Sequence, residues 1–489
     1  MRRIAAILAG GATLGACAVG PNFHRPASPA IAGYTPEPLP AATASASGPA
    51  GAAQRFVQGG EIAGDWWTLY HSPALDRLIA ETLRANPDMA AARAALRSAH
   101  ETYLASRGAF WPQADASYNY TRSKSSAALS PVLATSNDLY SLHTAQVSVT
   151  YAPDVFGGVR RGVEAARAQE DQQRWQSEAT YLSLTSNLVV TAIAEASLRD
   201  QIAAQKRVIA ETRQVLDIAE RQKDLGQLAG ADVAAQEALL AQAESALPPL
   251  EKQWAQARDL LADITGHAPS EAPADRLDLA TLTLPADLPV SLPSDLVRQR
   301  PDVLAAEADL HAASAEVGVA IAARIPAFEL QADAGGAATR FAQMFADGNG
   351  FWTLAGSVTQ PIFHGGELLH KQKAAEAALD QAKAQYRSTV LAAFENTADA
   401  LQAIDADARA LAAAARADDA ARRSLDIAKN ELAAGQISLP SLLLAEQAYD
   451  QAEIGLVQAR VARYSDTAAL YQALGGGWWK RSDLAETKR

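Results

Sequence analysis

Two kinds of hydrophobic pattern alternate along the chain. Long stretches place apolar residues every three or four positions, the spacing of an amphipathic helix, whereas shorter stretches alternate apolar with polar residues, the spacing of β-strands. The alternating stretches lie within 113–152 and 328–361, and each predicts two strands of about ten residues joined by a loop. That length suits a tilted membrane β-strand, and the small polar residues on the other face suit a watery lumen.

Aromatic side chains occur near the ends of these strands. Because Tyr and Trp favour the interface between membrane and water, we expect them to form an aromatic belt there. The candidate belt residues are Trp111, Tyr118, Tyr120, Tyr151, Phe351 and Trp352. One such strand pair alone would also fit the half-buried strands of a soluble sheet.

The helices that follow the strand pairs are unusually long. Segments 159–225 and 367–434 contain no proline, and each of about 67 residues would extend ~100 Å at the helical rise. Between Val390 and Leu411 the apolar residues step by four and three, which is a heptad seam. Shorter return helices are predicted at 230–266 and 438–474. These lengths predict coiled-coil packing rather than a globular helical core.

The whole order of elements occurs twice. Pro87 and Pro301 open corresponding helices and lie 214 positions apart (301 − 87). The turns at Gly226 and Gly435 likewise lie 209 positions apart (435 − 226). The sequence therefore predicts two structural repeats joined by a linker and followed by a tail without a recognisable pattern. Their bounds are 65–267 and 294–476 for the repeats, 268–293 for the linker and 477–489 for the tail.

Prolines and glycines mark the predicted junctions between helix and strand. Proline cannot continue a helix and removes a donor from a strand ladder, so it is expected at such a boundary. Paired glycines give the backbone freedom where a strand turns into the next helix. The junction residues are Pro112, Pro153, Pro326, Pro361, Gly157, Gly158, Gly365 and Gly366.

The first residues predict export and lipid attachment. Two arginines precede a short apolar run that cannot span a bilayer, as in a signal peptide at 1–16. The sequence Leu-Gly-Ala-Cys ending at Cys17 resembles a bacterial lipobox, so Cys17 is the predicted lipidated residue. The alternative is an ordinary signal peptide that happens to contain a cysteine. Residues 17–64, rich in Pro, Ala, Gly and Ser, predict an extended tether, and Ala18 favours the outer membrane.

Composition excludes several functions. The chain is 49% hydrophobic and 20% charged, as expected of a folded protein. Its net charge of −12 argues against nucleic-acid binding. The single cysteine allows no intrachain disulfide, and the eight histidines show no metal-ligand spacing. Because no nucleophile, base and orienting group come together in any motif, we expect no enzyme and no cofactor beyond the lipid on Cys17.

Four strands per chain leave open edges, which a bilayer does not tolerate. A single barrel needs at least about eight strands, so several chains must contribute, and three chains would supply twelve. The long helices attached to the strands would then continue the wall as an α-helical tube. We interpret the chain as a duct across the periplasm. The alternative is a periplasmic coiled-coil lipoprotein scaffold without a pore.

Several segments together resemble one known family. They are LPSDLVRQRPDVLAAEADLHAA, CAVGPNFHRP, DWWTLYHSPALDRLI and the paired FGG and FHGG turns. The chain is similar in these segments to TolC-like outer-membrane efflux lipoproteins of the OprM/NodT type. The resemblance implies a mainly helical fold, with a periplasmic α-barrel and a homotrimeric twelve-stranded β-barrel. It also implies a periplasmic adaptor and an inner-membrane transporter of the resistance-nodulation-division type, which would supply the energy to export small molecules such as drugs.

The resemblance further implies that the helix turns lie at the periplasmic mouth, where an adaptor docks. These tip residues are Gly226, Gln227, Gly435 and Gln436. The alternative for them is simple helix termination. In this family the return helix after the second tip often carries aspartates that narrow the pore. Here residues 437–447 contain none and Asp232 follows the first tip instead, so the residues do not support an acidic constriction from the second repeat.

Overall fold

The computed structural model describes residues 18–31, 33–124, 139–273 and 275–481. Helices dominate this part of the chain. A short strand, β1 (Arg55–Gln58), precedes the first repeat. The repeat itself contains, in order, α1 (Pro73–Ala85), α2 (Pro87–Arg107), β2 (Gln113–Lys124), β3 (Leu139–Tyr151), α3 (Gly158–Asp224) and α4 (Gly230–Thr265).

The second repeat follows the same order after a short strand, β4 (Asp287–Val290). Its elements are α5 (Pro293–Gln299), α6 (Pro301–Ala322), β5 (Ala327–Ala338), β6 (Gly350–Thr359), α7 (Glu367–Ala433) and α8 (Leu439–Ala473). The two long helices, α3 and α7, have 67 residues each. Helix α4 continues through Pro248 and Pro249 as one element. No helix among the described residues is long and apolar enough to cross a membrane.

Capping side chains and prolines set the starts of α1 and α2, the two helices that precede β2. The Leu75 N–H donates to the Ser72 hydroxyl oxygen at 3.3 Å, and proline occupies the first position of α1, where a missing N–H costs nothing. At the next boundary the Asn86 side-chain oxygen accepts from the N–H groups of Asp88 at 2.8 Å and Met89 at 3.2 Å. The break between α1 and α2 is therefore a capped helix start.

The chain divides into two compact units. The first comprises residues 18–26, 95–124, 139–173 and 306–386 and contains the four-stranded sheet. The second comprises the other described residues, namely 27–31, 33–94, 174–273, 275–305 and 387–481, and contains a two-stranded sheet and both helix turns.

The four-stranded sheet of the first unit has the order β2-β3-β5-β6, and every neighbouring pair is antiparallel. The β3–β5 pairing joins the two repeats, with Val147 opposite Ala334 and Val149 opposite Ala332. Strands β2 and β6 lie at the edges, and neither has a second strand partner within the described residues. The sheet is therefore open on both sides.

The second unit encloses a core of aromatic rings. The ring of Trp66 stacks on Tyr471 with centroids 5.3 Å apart, and both rings are buried. The buried Tyr70 hydroxyl donates to the Tyr464 carbonyl oxygen at 2.7 Å, and the Tyr464 hydroxyl donates to the Leu282 carbonyl oxygen at 2.9 Å. These bonds satisfy the polar ends of large buried rings, which is how buried tyrosines are accommodated.

The segment expected to be a patternless tether is extended but docked. Strand β1 pairs in parallel with β4, which lies in the linker between the repeats. The guanidinium of Arg463, which is fully buried, donates to the carbonyl oxygens of Ala50 and Ala52 at 2.7 Å each. The composition of this segment, rich in Pro, Ala, Gly and Ser, does not predict these contacts, because backbone groups make most of them.

Candidate channel wall and helical tips

The four-stranded sheet has one apolar face and one polar face. Directly opposed residues of an antiparallel pair lie on the same face, so the register assigns each side chain to a face. The apolar face carries Ala114, Ala116, Tyr118, Tyr120, Val147, Val149, Ala332, Ala334, Trp352, Leu354 and Val358. The polar face carries Asp115, Ser117, Asn119, Thr144, Gln146, Ser148, Gln331, Asp333 and Thr353.

The part of the apolar face nearest the junctions is not covered by other parts of the described chain. Trp352 is 79% exposed, Leu354 73% and Val358 63%. Large apolar side chains in such a continuous exposed patch mark a surface that another protein or a membrane covers. Together with the polar face, this is the arrangement of a strand that separates lipid from a watery lumen.

Four of the predicted belt residues lie on one face of the sheet. Tyr118, Tyr120, Tyr151 and Trp352 lie on the apolar face. Phe351 pairs with Gly335 on the polar face, so the prediction is wrong for this residue. Its neighbour Trp352 takes the outward position because successive side chains of a strand point to opposite faces.

The predicted junction residues lie where strands and helices meet. Pro112 and Pro326 directly precede β2 and β5, and Pro153 and Pro361 follow β3 and β6. Gly158 is the first residue of α3, while Gly365 and Gly366 directly precede α7. Sequence reasoning missed the side chain that caps α3, because an aspartate four residues before a helix fits no capping motif. The Asp154 carboxylate accepts from the Val159 N–H at 3.0 Å and the Arg160 N–H at 2.9 Å.

Gly157 is also the point where the N-terminal segment docks. Its backbone has a φ of +81°, and a Cβ there would lie 2.6 Å from the Cα of Ala18. The Val19 N–H donates to the Phe156 carbonyl oxygen at 3.0 Å. Any larger residue at 157 would displace this segment, so the glycine is required for contact as well as for conformation.

An arginine of α3 holds the same segment in place. The side chain of Arg161 donates to the Val19 carbonyl oxygen at 3.1 Å and to the Asn22 side-chain oxygen at 2.7 Å. The ring of Phe23 stacks on His311 with centroids 4.3 Å apart. Cys17, the predicted lipidated residue, lies outside the described residues, and the chain that follows it is fixed beside the junction between sheet and helix.

The two tips have the same turn. At the first tip the Gly226 N–H donates to the Lys223 carbonyl oxygen and the Gln227 N–H to the Gln222 carbonyl oxygen, both at 2.8 Å. At the second tip Gly435 and Gln436 repeat these bonds to the helix before them, at 2.9 and 2.8 Å. Both glycines have a left-handed φ, +72° and +68°. This is a C-terminal cap that satisfies the last helical carbonyls.

One hydrophobic cluster joins the helices of both tips. Its buried members are Val215, Ala219, Val233, Leu425, Ala428, Leu442 and Leu443. The first three come from α3 and α4, and the others from α7 and α8. The repeats therefore meet near their turns through a shared core. Other apolar side chains near the turns remain exposed, including Ile218, Leu225, Ile427 and Leu444.

The second return helix, α8, carries acidic groups, of which Glu446 lies within residues 437–447 and Asp450 and Glu453 lie beyond them. Burial, with smaller contributions from the carboxylates of Glu211, Glu446 and Glu453, raises the pKa of Asp450 to about 7, while Lys429 acts against them. Burial likewise raises the pKa of Glu446. The Arg207 guanidinium donates to the Glu453 carboxylate at 2.7 Å. No group of three or more His, Cys, Asp or Glu side chains in the described chain is arranged to hold a metal ion.

Comparison with known proteins agrees with this geometry. The sequence model for outer membrane efflux proteins matches residues 78–267 and 292–476. The chain belongs to the outer membrane efflux protein family. The two matched segments correspond to the two repeats and confirm their prediction. They also confirm the interpretation as an outer-membrane efflux channel with a TolC-like fold over that of a scaffold, and the family is one of channel proteins.

Relatives and solved structures cover nearly the whole chain. The pyoverdine export outer membrane protein OpmQ of Pseudomonas aeruginosa is 30% identical over 91% of this chain and 94% of its own. A probable outer membrane lipoprotein of Salmonella typhimurium, SilC, is 26% identical over 84% of this chain and 88% of its own. The solved structure of the outer-membrane channel OprN is 26% identical and covers 94% of this chain and all of its own, with a TM-score of 0.83.

Proposed function

We propose that three copies of this chain close one twelve-stranded barrel and form the passive outer-membrane duct of a tripartite efflux system. The observation that carries the proposal is the four-stranded sheet, with one exposed apolar face, one polar face and two unpaired edges. Unpaired edges in a bilayer cost several kcal/mol for each unsatisfied backbone group, so the edges β2 and β6 must pair with other chains. Because both edges belong to one chain, a ring of identical chains satisfies all of them.

The test of this proposal is the assembly state and conductance of the lipidated full-length chain. In detergent, native mass spectrometry should give three times the mass of one chain. In planar bilayers the same preparation should give discrete channel openings. A monomer that stays in solution and yields no conductance would contradict the proposed trimeric duct.

The lipid anchor is part of the proposal. Cys17 would carry the covalent lipid, and Ala18 and Val19 would hold it at the junction between sheet and helix. One relative is named a lipoprotein, which supports the same chemistry. A Cys17→Ser chain should lose incorporation of an alkyne-labelled fatty acid in cells, with Ser47→Ala in the tether as the control. Equal labelling of the Cys17→Ser chain and the native chain would rule out this attachment site.

The tips are the proposed docking site for a periplasmic adaptor. Gly226, Gln227, Gly435 and Gln436 form the turns, and the exposed apolar side chains nearby supply the surface that a partner would bury. The inner-membrane transporter, of the resistance-nodulation-division type by resemblance, would select and energise the transport of small molecules. A photoreactive amino acid at Gln227 or Gln436 should crosslink to the adaptor in cells. The same label at Gln385 should not, and equal crosslinking at all three positions would argue against tip docking.

A further inference from the structure

The apolar face changes character in order along β2. Starting at the junction, it presents Ala114 and Ala116, then Tyr118 and Tyr120, and finally the cations Arg122 and Lys124. All six share one face because they are two residues apart. The sequence of small apolar, aromatic and cationic side chains follows the layers of a membrane leaflet from the hydrocarbon to the headgroups.

The heights along the strand agree with this order. At ~3.4 Å per residue and a tilt of about 40°, Arg122 lies ~20 Å above Ala114 and Lys124 lies ~25 Å above it. The apolar band of an outer-membrane barrel is about 25 Å tall. Lys124 therefore lies at the upper limit of this band, where lipid phosphates lie, and Arg122 lies ~5 Å below it, within reach of a long side chain that extends to the same level.

A ring cluster shapes the surface just below the cations. The Tyr118 hydroxyl and the Nδ1 of His143 lie 2.8 Å apart, and the rings of Tyr120 and His143 have centroids 4.8 Å apart. Phe341, which follows β5, packs edge-on against Tyr118 with centroids 5.8 Å apart. This contact brings the turn that begins at Arg340 onto the face that carries Arg122.

The cations of this surface have no carboxylate partner among the residues that the structure describes. Within the described ranges, neither Arg122, Lys124 nor Arg340 makes an ion pair, and the side chains of all three are exposed. The turn after β5 carries one acidic residue, Asp347. Three exposed cations beside a ring cluster form a positive surface on a chain whose net charge is −12.

We infer that Arg122, Lys124 and Arg340, above the Tyr118–His143–Phe341 ring cluster, bind the headgroup phosphates of lipids in the outer leaflet. The inference rests on the proposed barrel. The docked Ala18 assigns the junction end of the strands to the inner leaflet, so the opposite end faces the outer leaflet. Guanidinium and ammonium groups pair well with phosphate oxygens, and the rings pack against the acyl chains and sugars below.

The test uses the full-length protein in phosphatidylcholine nanodiscs with a trace of diphosphorylated lipid A or its dephosphorylated form. Native mass spectrometry counts the lipid retained. A cation at an anionic lipid surface contributes about fivefold to affinity, so Arg122→Gln with Lys124→Gln should weaken retention of the phosphorylated lipid ~30-fold. Retention of the dephosphorylated lipid should not change. Millimolar inorganic phosphate should not displace the lipid, and displacement would contradict the lipid assignment.

Two further measurements keep the result interpretable. Lys373→Gln removes an exposed cation from α7 and should leave retention at the native level. Arg340→Gln lies outside the strands and tests the surface if the double variant fails to assemble. Channel conductance is recorded for every variant. If the native protein shows no conductance, that result counts against the proposed duct. If conductance is intact and all variants retain the same amount of lipid, only the inference about lipid binding is overturned.

Discussion

The Arg463 guanidinium of α8 donates a hydrogen bond of 2.7 Å to the carbonyl oxygen of Ala50, a residue 413 positions earlier. The same guanidinium donates to Thr43 Oγ1 at 3.0 Å and to the Ala52 carbonyl oxygen at 2.7 Å. Arg463 is completely buried, so these acceptors have no water to replace it. One side chain thus fixes the N-terminal segment to the return helix of the second repeat.

Replacing this arginine should destabilise the folded chain. Arg463→Met keeps the aliphatic stem but leaves buried carbonyl oxygens without donors, which should cost about 3–5 kcal/mol. Thermal unfolding followed by circular dichroism measures the loss. The control is Arg409→Met, because Arg409 makes an exposed ion pair with Asp405 and should contribute less than about 1 kcal/mol. Equal melting temperatures for the two variants would contradict the stabilising role of Arg463.

Asp407 should make stability depend on pH. Burial and the hydrogen bond with Asp466 together raise the pKa of Asp407 to about 7, and Arg463 acts against both. Because the folded pKa lies above the unfolded value, the folded state binds more protons between the two values, and the free energy of unfolding falls as pH rises from about 4 to 7. Asp407→Asn should flatten this dependence in melting curves from pH 5 to 8. The exposed Asp419→Asn should not, and a slope unchanged by Asp407→Asn would refute the assignment.

Adjacent residues of β3 should respond oppositely to a charge. Val147 lies on the apolar face and Gln146 on the polar face. Val147→Arg would bury a cation in lipid at a cost of about 2–4 kcal/mol and should reduce assembled protein in the outer membrane. Gln146→Arg should assemble normally and change ion selectivity, because its charge would face the lumen. Heat-resistant oligomer on gels and reversal potentials in bilayers measure the two effects. Equal assembly of both variants would contradict the assigned faces.

Neighbouring leucines at the second tip allow a similar comparison. Leu443 is 6% exposed in the shared cluster, whereas Leu444 is 69% exposed. Leu443→Ala should cost about 2–4 kcal/mol and speed amide hydrogen exchange in both tips, because the cluster joins them. Leu444→Ala should leave exchange unchanged and weaken crosslinking to an adaptor. Faster exchange at the second tip alone would show that the repeats do not stabilise one another there.

The elements with strong periodicity could be predicted from the sequence nearly residue by residue. The predicted long helix 159–225 is Gly158–Asp224 in the structure, and 367–434 is Glu367–Ala433. A heptad pattern over many turns, ended by glycine, leaves little freedom for the helix bounds. The predicted side of β3 for Val147 was also correct, because a period of two places successive side chains on opposite faces.

The contacts that join distant segments could not be predicted. Strand β1 has four residues and pairs with a strand more than 200 positions later, which gives no periodic signal. Arg463 looks like any arginine on a helix until the segment at 43–52 covers it. The pKa of Asp450 is raised by burial and by carboxylates from two helices, and only the folded chain brings these groups together. Such features depend on tertiary packing, so no local pattern of residues predicts them.

The antiparallel pairing of β3 with β5 bears on how this architecture arose. It joins the repeats by the same kind of edge contact that the proposed assembly needs between chains. An ancestor with a single unit would have required six subunits to complete an equivalent ring. In the proposed assembly half of those contacts are intramolecular, so fewer independent molecules lose their translational freedom when the ring forms.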